Sequence, residues 1–266
     1  MIDIEDTVEQ RLYNLQLQQL YEMRKLNHPN PLARYGNKVF SQSDEDGITL
    51  EICKRLKLEK GFFIEFGVAN GMENNTLALL ASGWKGEWFG GEDILFDTSS
   101  SSRLEFTKVW ITRENIFQLV NSAIKRLENN NLDLISLDLD GNDYYFIKEL
   151  LSKGVLPKVF IVEYNAKFIP PIHFTIDYDP QNIWKGDDYQ GASLALLNDL
   201  FLKYNYKLVC CNSATGSNAF FVRKDFEIHF DDVPKNIDDI FVTLNYNLYN
   251  YFGHKNSIKT IIKCIS

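Results

Sequence analysis

Apolar residues recur at mostly three- and four-residue spacing from Val8 through Leu12 and Leu15 to Leu20, Met23 and Leu26, which predicts an amphipathic N-terminal helix over 5–26. His28-Pro29-Asn30-Pro31 ends it, because the residue before a proline is pushed out of the helical region. SQSDEDG at 41–47 then leads into the helical pattern ITLEICKRL, its acidic side chains standing where a helix entry favours negative charge. From Gly61 the texture changes. The short apolar runs GFFIEFG, EWFGGE, KVWI, LDLISLDLD and VFIVEYN alternate with helical patterns near 74–83, 115–128, 143–153 and 191–204. Such alternation predicts an α/β fold with a mostly parallel sheet covered by helices on both faces. The last runs, YKLVCC and NAFFVR, are joined only by the turn-rich NSATGS and predict an antiparallel hairpin at the sheet edge.

At 266 residues and 45% hydrophobic composition the chain can bury one sizeable core. The expected organisation is a helical extension over 1–32, an α/β domain over 33–226 and an extension over 227–266. That last segment is aromatic and Asn-rich, and its final helical stretch lacks a stop signal, as in a chain that continues into a longer parent. Lys and Arg number 28 against 36 Asp and Glu, a formal charge of −8. This argues against a surface built for nucleic acid or anionic lipid. The start MIDIEDTVEQ lacks the basic patch and apolar core of a secretory signal, and no run reaches 18 apolar residues, so a soluble cytoplasmic protein without a membrane span is expected. Cys53, Cys210, Cys211 and Cys264 show no CxxC spacing and read as reduced filler.

Two places carry candidate chemistry. In FFIEFGVANG a buried strand runs into a turn with Gly67 and Gly71, where backbone can approach a ligand closely. Glu92, 21 residues after Gly71 and just past the second strand, is positioned to take both hydroxyls of a ribose. Glu65, at a strand's C-terminal end, either receives a ligand's ammonium group or caps the next helix; Asn74 and Asn75 read as cap or turn residues. In LISLDLDGNDY, Asp138 and Asp140 leave one face of a strand end, and Glu163 and Asn165 do so at the end of VFIVEYNA. Consecutive parallel strands bring these four oxygen-bearing groups together at one sheet edge. Hard oxygen donors without Cys or a neighbouring His suit magnesium, calcium or manganese better than zinc. In the alternative, Asp138 and Asp140 cap the next helix and Glu163 meets a buried cationic side chain. In the loop after Asn165, His173 is a candidate general base or further ligand. Tyr178, Trp184 and Tyr189 are candidates for an aromatic wall, and Asp187 and Asp188 for hydrogen bonds to substrate hydroxyls, with core packing and simple solvation as the other readings.

SQSDEDG, FFIEFGVANGMENNT, SGWKGEWFGGE, ITRENI, SLDLDGNDY, VFIVEYNA, GASLALLN and CNSATGSNAFFVR, in this order over roughly 35–225, resemble the FkbM-type family of S-adenosylmethionine-dependent methyltransferases. The resemblance implies the class I methyltransferase sheet, seven strands with the last antiparallel. It implies that Glu65, Gly67, Asn70 and Gly71 line the methionine part of the cofactor and that Glu92 holds the ribose. Asn115 would then sit near the adenine and Gln42 near the cofactor's amino acid end, with Asp138 counted in the same cofactor set. The acidic pattern is also similar to metal-dependent small-molecule O-methyltransferases, with Asp138, Asp140, Glu163 and Asn165 as metal ligands and Asp140 and His173 as catalytic groups.

The expected activity is O-methylation of a sugar or nucleotide sugar for a bacterial surface polysaccharide such as a capsule, assisted by magnesium or manganese. The polar, acidic and aromatic loop over 168–193, with Tyr178, Trp184, Asp188 and Tyr189, fits a polyhydroxylated acceptor better than a long lipid. The rival readings are a methyltransferase acting on an amine or small phenol, and a non-catalytic module that binds cofactor. The N-terminal helix offers a homodimer surface.

Overall fold

The computed structural model describes residues 7–99, 101–126, 131–245, 247–248, 258 and 261–262. Seven strands, β1 (Phe62–Phe66), β2 (Lys85–Gly90), β3 (Leu104–Lys108), β4 (Leu134–Leu137), β5 (Val159–Glu163), β6 (Tyr206–Cys211) and β7 (Asn218–Arg223), form one sheet. Its order is β3-β2-β1-β4-β5-β7-β6. Strands β1 to β5 pair in parallel, and β7 alone runs antiparallel, between β5 and β6. This is the mostly parallel sheet with an antiparallel last strand that the sequence predicts. The helices are α1 (Val8–Asn27), α2 (Glu45–Arg55), α3 (Leu77–Ala81), α4 (Ile116–Lys125), α5 (Asp143–Ser152) and α6 (Leu194–Lys203).

Strands β1, β4 and β5 are near-continuous apolar runs because helices cover both of their faces, and Phe63, Ile64, Phe66, Leu134, Ile135, Leu137 and Phe160 are all buried. Phe201 of α6 stacks on Phe221 of β7 at 4.0 Å and leans on Phe160 at 5.2 Å, which ties the hairpin end of the sheet to its helix. The order reverses direction at β1, so β1 and β4 diverge into a crevice at their C-terminal ends. Gly67 stands there with φ +87°, and a Cβ on it would lie 1.5 Å from the Asp138 carbonyl oxygen. Only glycine lets the two strand ends approach so closely.

Three expectations need correction. The third strand is LEFTK at 104–108, not KVWI. The chain leaves the sheet at Val109, whose amide bonds Gly90 O at 2.8 Å. Beyond it Ile111 is buried, while Trp110 donates to Pro180 O at 2.8 Å, so the apolar run covers the end of the sheet. Helix α3 covers only 77–81 of the expected 74–83, because Glu65 draws the Asn75 and Thr76 amides into a turn. Helix α1 packs through Leu17 and Tyr21, and the predicted stripe of Val8, Leu12, Leu15, Met23 and Leu26 is exposed. Tyr21 is pinned by its hydroxyl, which donates to Gly36 O at 2.8 Å.

No helix among the described residues is long and apolar enough to cross a membrane. Cys53, Cys210 and Cys211 are buried free thiols. The extension over 227–266 is described only in part, and His254 and Cys264 lie outside the described residues.

If Leu17 is the anchor of α1, Leu17→Ala should cost about 2–3 kcal/mol in urea denaturation, as for other buried leucines. Leu12→Ser on the exposed face should change stability by less than about 0.5 kcal/mol.

Candidate functional site

The C-terminal ends of β1, β4 and β5 open into a cleft of about 440 Å³. Its lining comes from chain segments far apart in sequence: Gln42, Glu65, Gly67 to Asn70, Glu73 to Asn75, Asp138 and Asp140, Glu163, Trp184 and Gln190, and Asn218. Polar side chains dominate, as suits a polar ligand.

Glu65 is buried on β1 and accepts from Asn75 N at 2.8 Å, from Thr76 N at 3.2 Å and from the Thr76 hydroxyl. Of its two readings, capping the entry to α3 is realised, and the same side chain lines the cleft. Trp88 Nε1 in turn donates to Thr76 Oγ1 at 2.9 Å, so the turn is locked to β2. Burial pushes the Glu65 carboxyl up to about 7 despite these donors. Asn75 Nδ2 reaches Ser136 Oγ at 3.2 Å and joins the turn to β4.

One carboxylate oxygen from each of Asp138, Asp140 and Glu163 lies within 4.8 Å of the others. No side chain caps α5, whose N-cap is Asn142. Asp143 accepts from Leu139 N and Gly141 N, both at 2.9 Å, and so holds the loop that Asp138 and Asp140 occupy. Asp140 adopts φ +53°, a left-handed conformation that aspartate tolerates better than most residues. Among the described residues no ion pair involves Asp138, Asp140 or Glu163, and Glu163 Oε2 is buried with no hydrogen-bond partner. Burial first, then Asp140 and Asp143, push Asp138 well above the usual carboxylate range, and burial followed by Asp138 does the same to Glu163. Asp138 and Glu163 share a side-chain hydrogen bond, which needs a carboxyl proton between them; a divalent cation would take the place of that proton among hard oxygens held this close.

Several predicted site residues lie elsewhere. Asn165 is buried, but its amide donates to Asp188 O and Gln190 O, both at 3.0 Å, and accepts from Lys167 N at 3.2 Å. It shapes the following loop and is not among the residues lining the cleft. His173 is half-exposed and faces α6, where its Nε2 lies 3.3 Å from Asp199. The loop that carries it turns away from the acids. Asn115 accepts from Thr112 N and donates to Trp110 O, each at 2.8 Å, and builds its own turn. Tyr178 packs against Tyr145 and accepts from Arg113 N, and Tyr189 packs edge-on to Phe174. Asp188 pairs with Lys167, and Trp184, which donates to Asp187 O at 2.7 Å, is the one predicted aromatic in the cleft wall. Glu92 is exposed two residues past β2, and Gly71 is buried behind the turn.

Sequence reasoning missed the burial of SQSDEDG. Asp44, Glu45 and Asp46 are fully buried. Asp46 Oδ2 gathers the amides of Val39, Phe40 and Ser41 at 2.6–2.8 Å, and Asp44 accepts from Ala214 N at 3.1 Å and from Ser213 Oγ. Glu45 accepts from Ser43 N at 2.9 Å and Asn218 Nδ2 at 3.2 Å. The two polar motifs SQSDEDG and CNSATGSN thus form one buried network beside the cleft. Their shared excess of small polar residues next to apolar strands was the available signal.

No protein-family model matches the chain, and no curated protein matches its sequence at a significant level. Among solved structures it is similar to the MycE methyltransferase from the mycinamycin biosynthetic pathway, in complex with Mg, SAH and mycinamycin VI, at 14% identity and TM-score 0.41, over 66% of this chain and 48% of that one. A crystal form of MycE with Mg and SAH gives 15% identity and TM-score 0.42, over 67% and 50%. The chain spans about half the length of these structures. Likeness at this level assigns no activity to it.

Because the folded protein holds the Glu65 proton more tightly than the unfolded chain, stability from this group is complete below about pH 4.5 and lost as the pH rises through about 7. The wild type should therefore lose melting temperature relative to Glu65→Gln across that window. A difference that is flat with pH would mean that Glu65 titrates normally.

Proposed function

We propose that this chain is an S-adenosylmethionine-dependent O-methyltransferase of the FkbM type, acting with a divalent cation on a hydroxyl of a sugar or nucleotide sugar, in bacterial surface polysaccharide synthesis. The observation that carries this reading is the meeting, in one cleft, of the glycine turn after β1 with the Asp138, Asp140 and Glu163 cluster. The motifs on which the family resemblance rests contribute Gln42, Gly67, Asn70, Asp138, Glu163 and Asn218 to the same walls.

When bound, S-adenosylmethionine supplies the methyl group, and a cation on Asp138, Asp140 and Glu163 compensates their charge and attracts substrate oxygens. Gly67 lets the ends of β1 and β4 meet at the cleft floor, and Glu65 holds the 70–76 turn in place. Gln42 and Asn70 are assigned to the cofactor's amino acid end. Glu92 is assigned the ribose, because β1 and β2 end side by side with Phe66 opposite Phe89. Trp184 offers a flat apolar surface for a sugar or base ring. Asp140 is exposed at the lip of the cleft and is assigned the acceptor's proton. Most of the rate would come from holding the hydroxyl in line with the methyl group.

Incubation with S-adenosylmethionine and a panel of nucleotide sugars should release S-adenosylhomocysteine. Dialysis against a chelator should abolish release, and magnesium or manganese should restore it. Asp140→Asn should lower turnover by about 100-fold with S-adenosylhomocysteine affinity retained. Affinity without turnover on any hydroxyl, amine or phenol acceptor would leave a binding module. Full turnover in excess chelator would remove the cation from the reading.

Glu92→Ala should weaken S-adenosylmethionine binding by about 1.5–3 kcal/mol in calorimetry, the loss of a charged acceptor for two hydroxyls. Unchanged binding would free Glu92 from the ribose.

A further inference from the structure

The amide expected beside the acidic cluster from sequence, Asn165, is engaged by backbone groups of its own loop. A different asparagine stands in the cleft. Asn218 begins β7 and lies directly opposite Glu163 in the antiparallel β5–β7 ladder, so the two side chains share a face of the sheet. It is only 2% exposed and lines the same cleft as Asp138, Asp140 and Glu163. Its Oδ1 is buried with no hydrogen-bond partner, as is Glu163 Oε2 across the ladder.

The orientation of this amide is set from behind. Asn218 Nδ2 lies 3.2 Å from Glu45 Oε1. Burial and the neighbouring Asp44 raise the Glu45 carboxyl; in its ionised form it only accepts hydrogen bonds, so the amide edge facing it is the NH₂ and the oxygen faces the other way. Glu45 is itself held by the Ser43 amide at 2.9 Å and the Ser43 hydroxyl at 3.0 Å. The Asn218 backbone amide donates to Asn212 Oδ1 at 2.9 Å, which fixes the strand end. A buried carbonyl oxygen held without a donor costs free energy unless something electropositive meets it.

We propose that Asn218 Oδ1 is a fourth oxygen donor to the divalent cation held by Asp138, Asp140 and Glu163, and that Glu45 is the positioning residue that turns this oxygen toward the metal. The inference rests on the reading of the acidic cluster as a cation site. It gives the buried SQSDEDG motif a role: its glutamate orients a metal-facing amide from a strand more than 170 positions away in sequence. A neutral amide oxygen also suits a site that already has three carboxylates, since it adds a hard donor without a further negative charge.

The test is manganese binding followed by electron paramagnetic resonance on chelator-treated protein. The wild type should bind one Mn²⁺, and Asn218→Ala should bind it at least about tenfold more weakly while keeping its far-ultraviolet circular dichroism. Because Asn218→Ala can fail to fold, a second measurement uses Asn165→Ala protein carrying ¹³C-labelled asparagine. Pulsed double resonance on its bound Mn²⁺ should show a ¹³C coupling from a ligating amide that disappears when Asn218→Asp is added, since Asn70, Asn74 and Asn75 also line the cleft and only the label at 218 is then lost. Wild-type affinity in folded Asn218→Ala, or an asparagine coupling that is absent or survives Asn218→Asp, would overturn the assignment and leave a protonated Glu163 as the partner of Asn218. Failure of the wild type to bind Mn²⁺ at all would instead remove the acidic cluster as a cation site, and this inference with it.

Discussion

Parallel strands end at the same edge of a sheet, and in this protein three of the side chains placed there are carboxylates with no basic partner among the described residues. Two charges ~4 Å apart cost roughly 4 kcal/mol at an effective dielectric of ~20. A fold does not gather Asp138, Asp140 and Glu163 for stability. Protons answer the repulsion when nothing else does, which is why burial and mutual repulsion drive Asp138 and Glu163 far above the usual carboxylate range. A cation answers it in a different way, by turning the repulsion into binding energy and a place for substrate oxygens.

The surrounding structure serves this edge. Gly67 permits the contact between the ends of β1 and β4. Asp143 holds the loop so that Asp138 and Asp140 need not. Glu65 holds the turn after β1 with both oxygens. The same division of labour recurs in the SQSDEDG segment, where Asp46 shapes the loop, Asp44 ties it to the 212–218 turn and Glu45 contacts the one residue of that turn that reaches the cleft. Acidic residues that gather backbone amides build the frame. Those that accept from no backbone amide among the described residues, Asp138, Asp140 and Glu163, line the cleft.

How much of this was legible depended on whether the cause was local. The strand at 62–66, the acids ending β4 and β5, and the closing hairpin follow from apolar runs, turn residues and period-two alternation, all carried by neighbouring positions. The third strand was misplaced because KVWI is more apolar than LEFTK, although an edge strand can be half polar and the apolar run was needed to cover the sheet end. The face of α1 was misjudged for a related reason. Periodicity shows that a helix has a stripe, but Leu17 and Tyr21 were chosen by a partner surface built from the 36–44 segment and the turn near residue 214.

The sequence by itself determined the order of strands and helices, the sign and position of the carboxylates, and the glycine at the one turn that needs it. These depend on residue type and spacing within a few positions. Only the tertiary structure decided that Asn218 lies opposite Glu163 in the cleft wall, that His173 turns to Asp199, and that SQSDEDG is buried against CNSATGSN. Those outcomes are set by where a loop is tied down and by which polar groups must be satisfied once water is excluded. Residues 45 and 218, or 165 and 190, acquire a relation only when the chain brings them within hydrogen-bond distance.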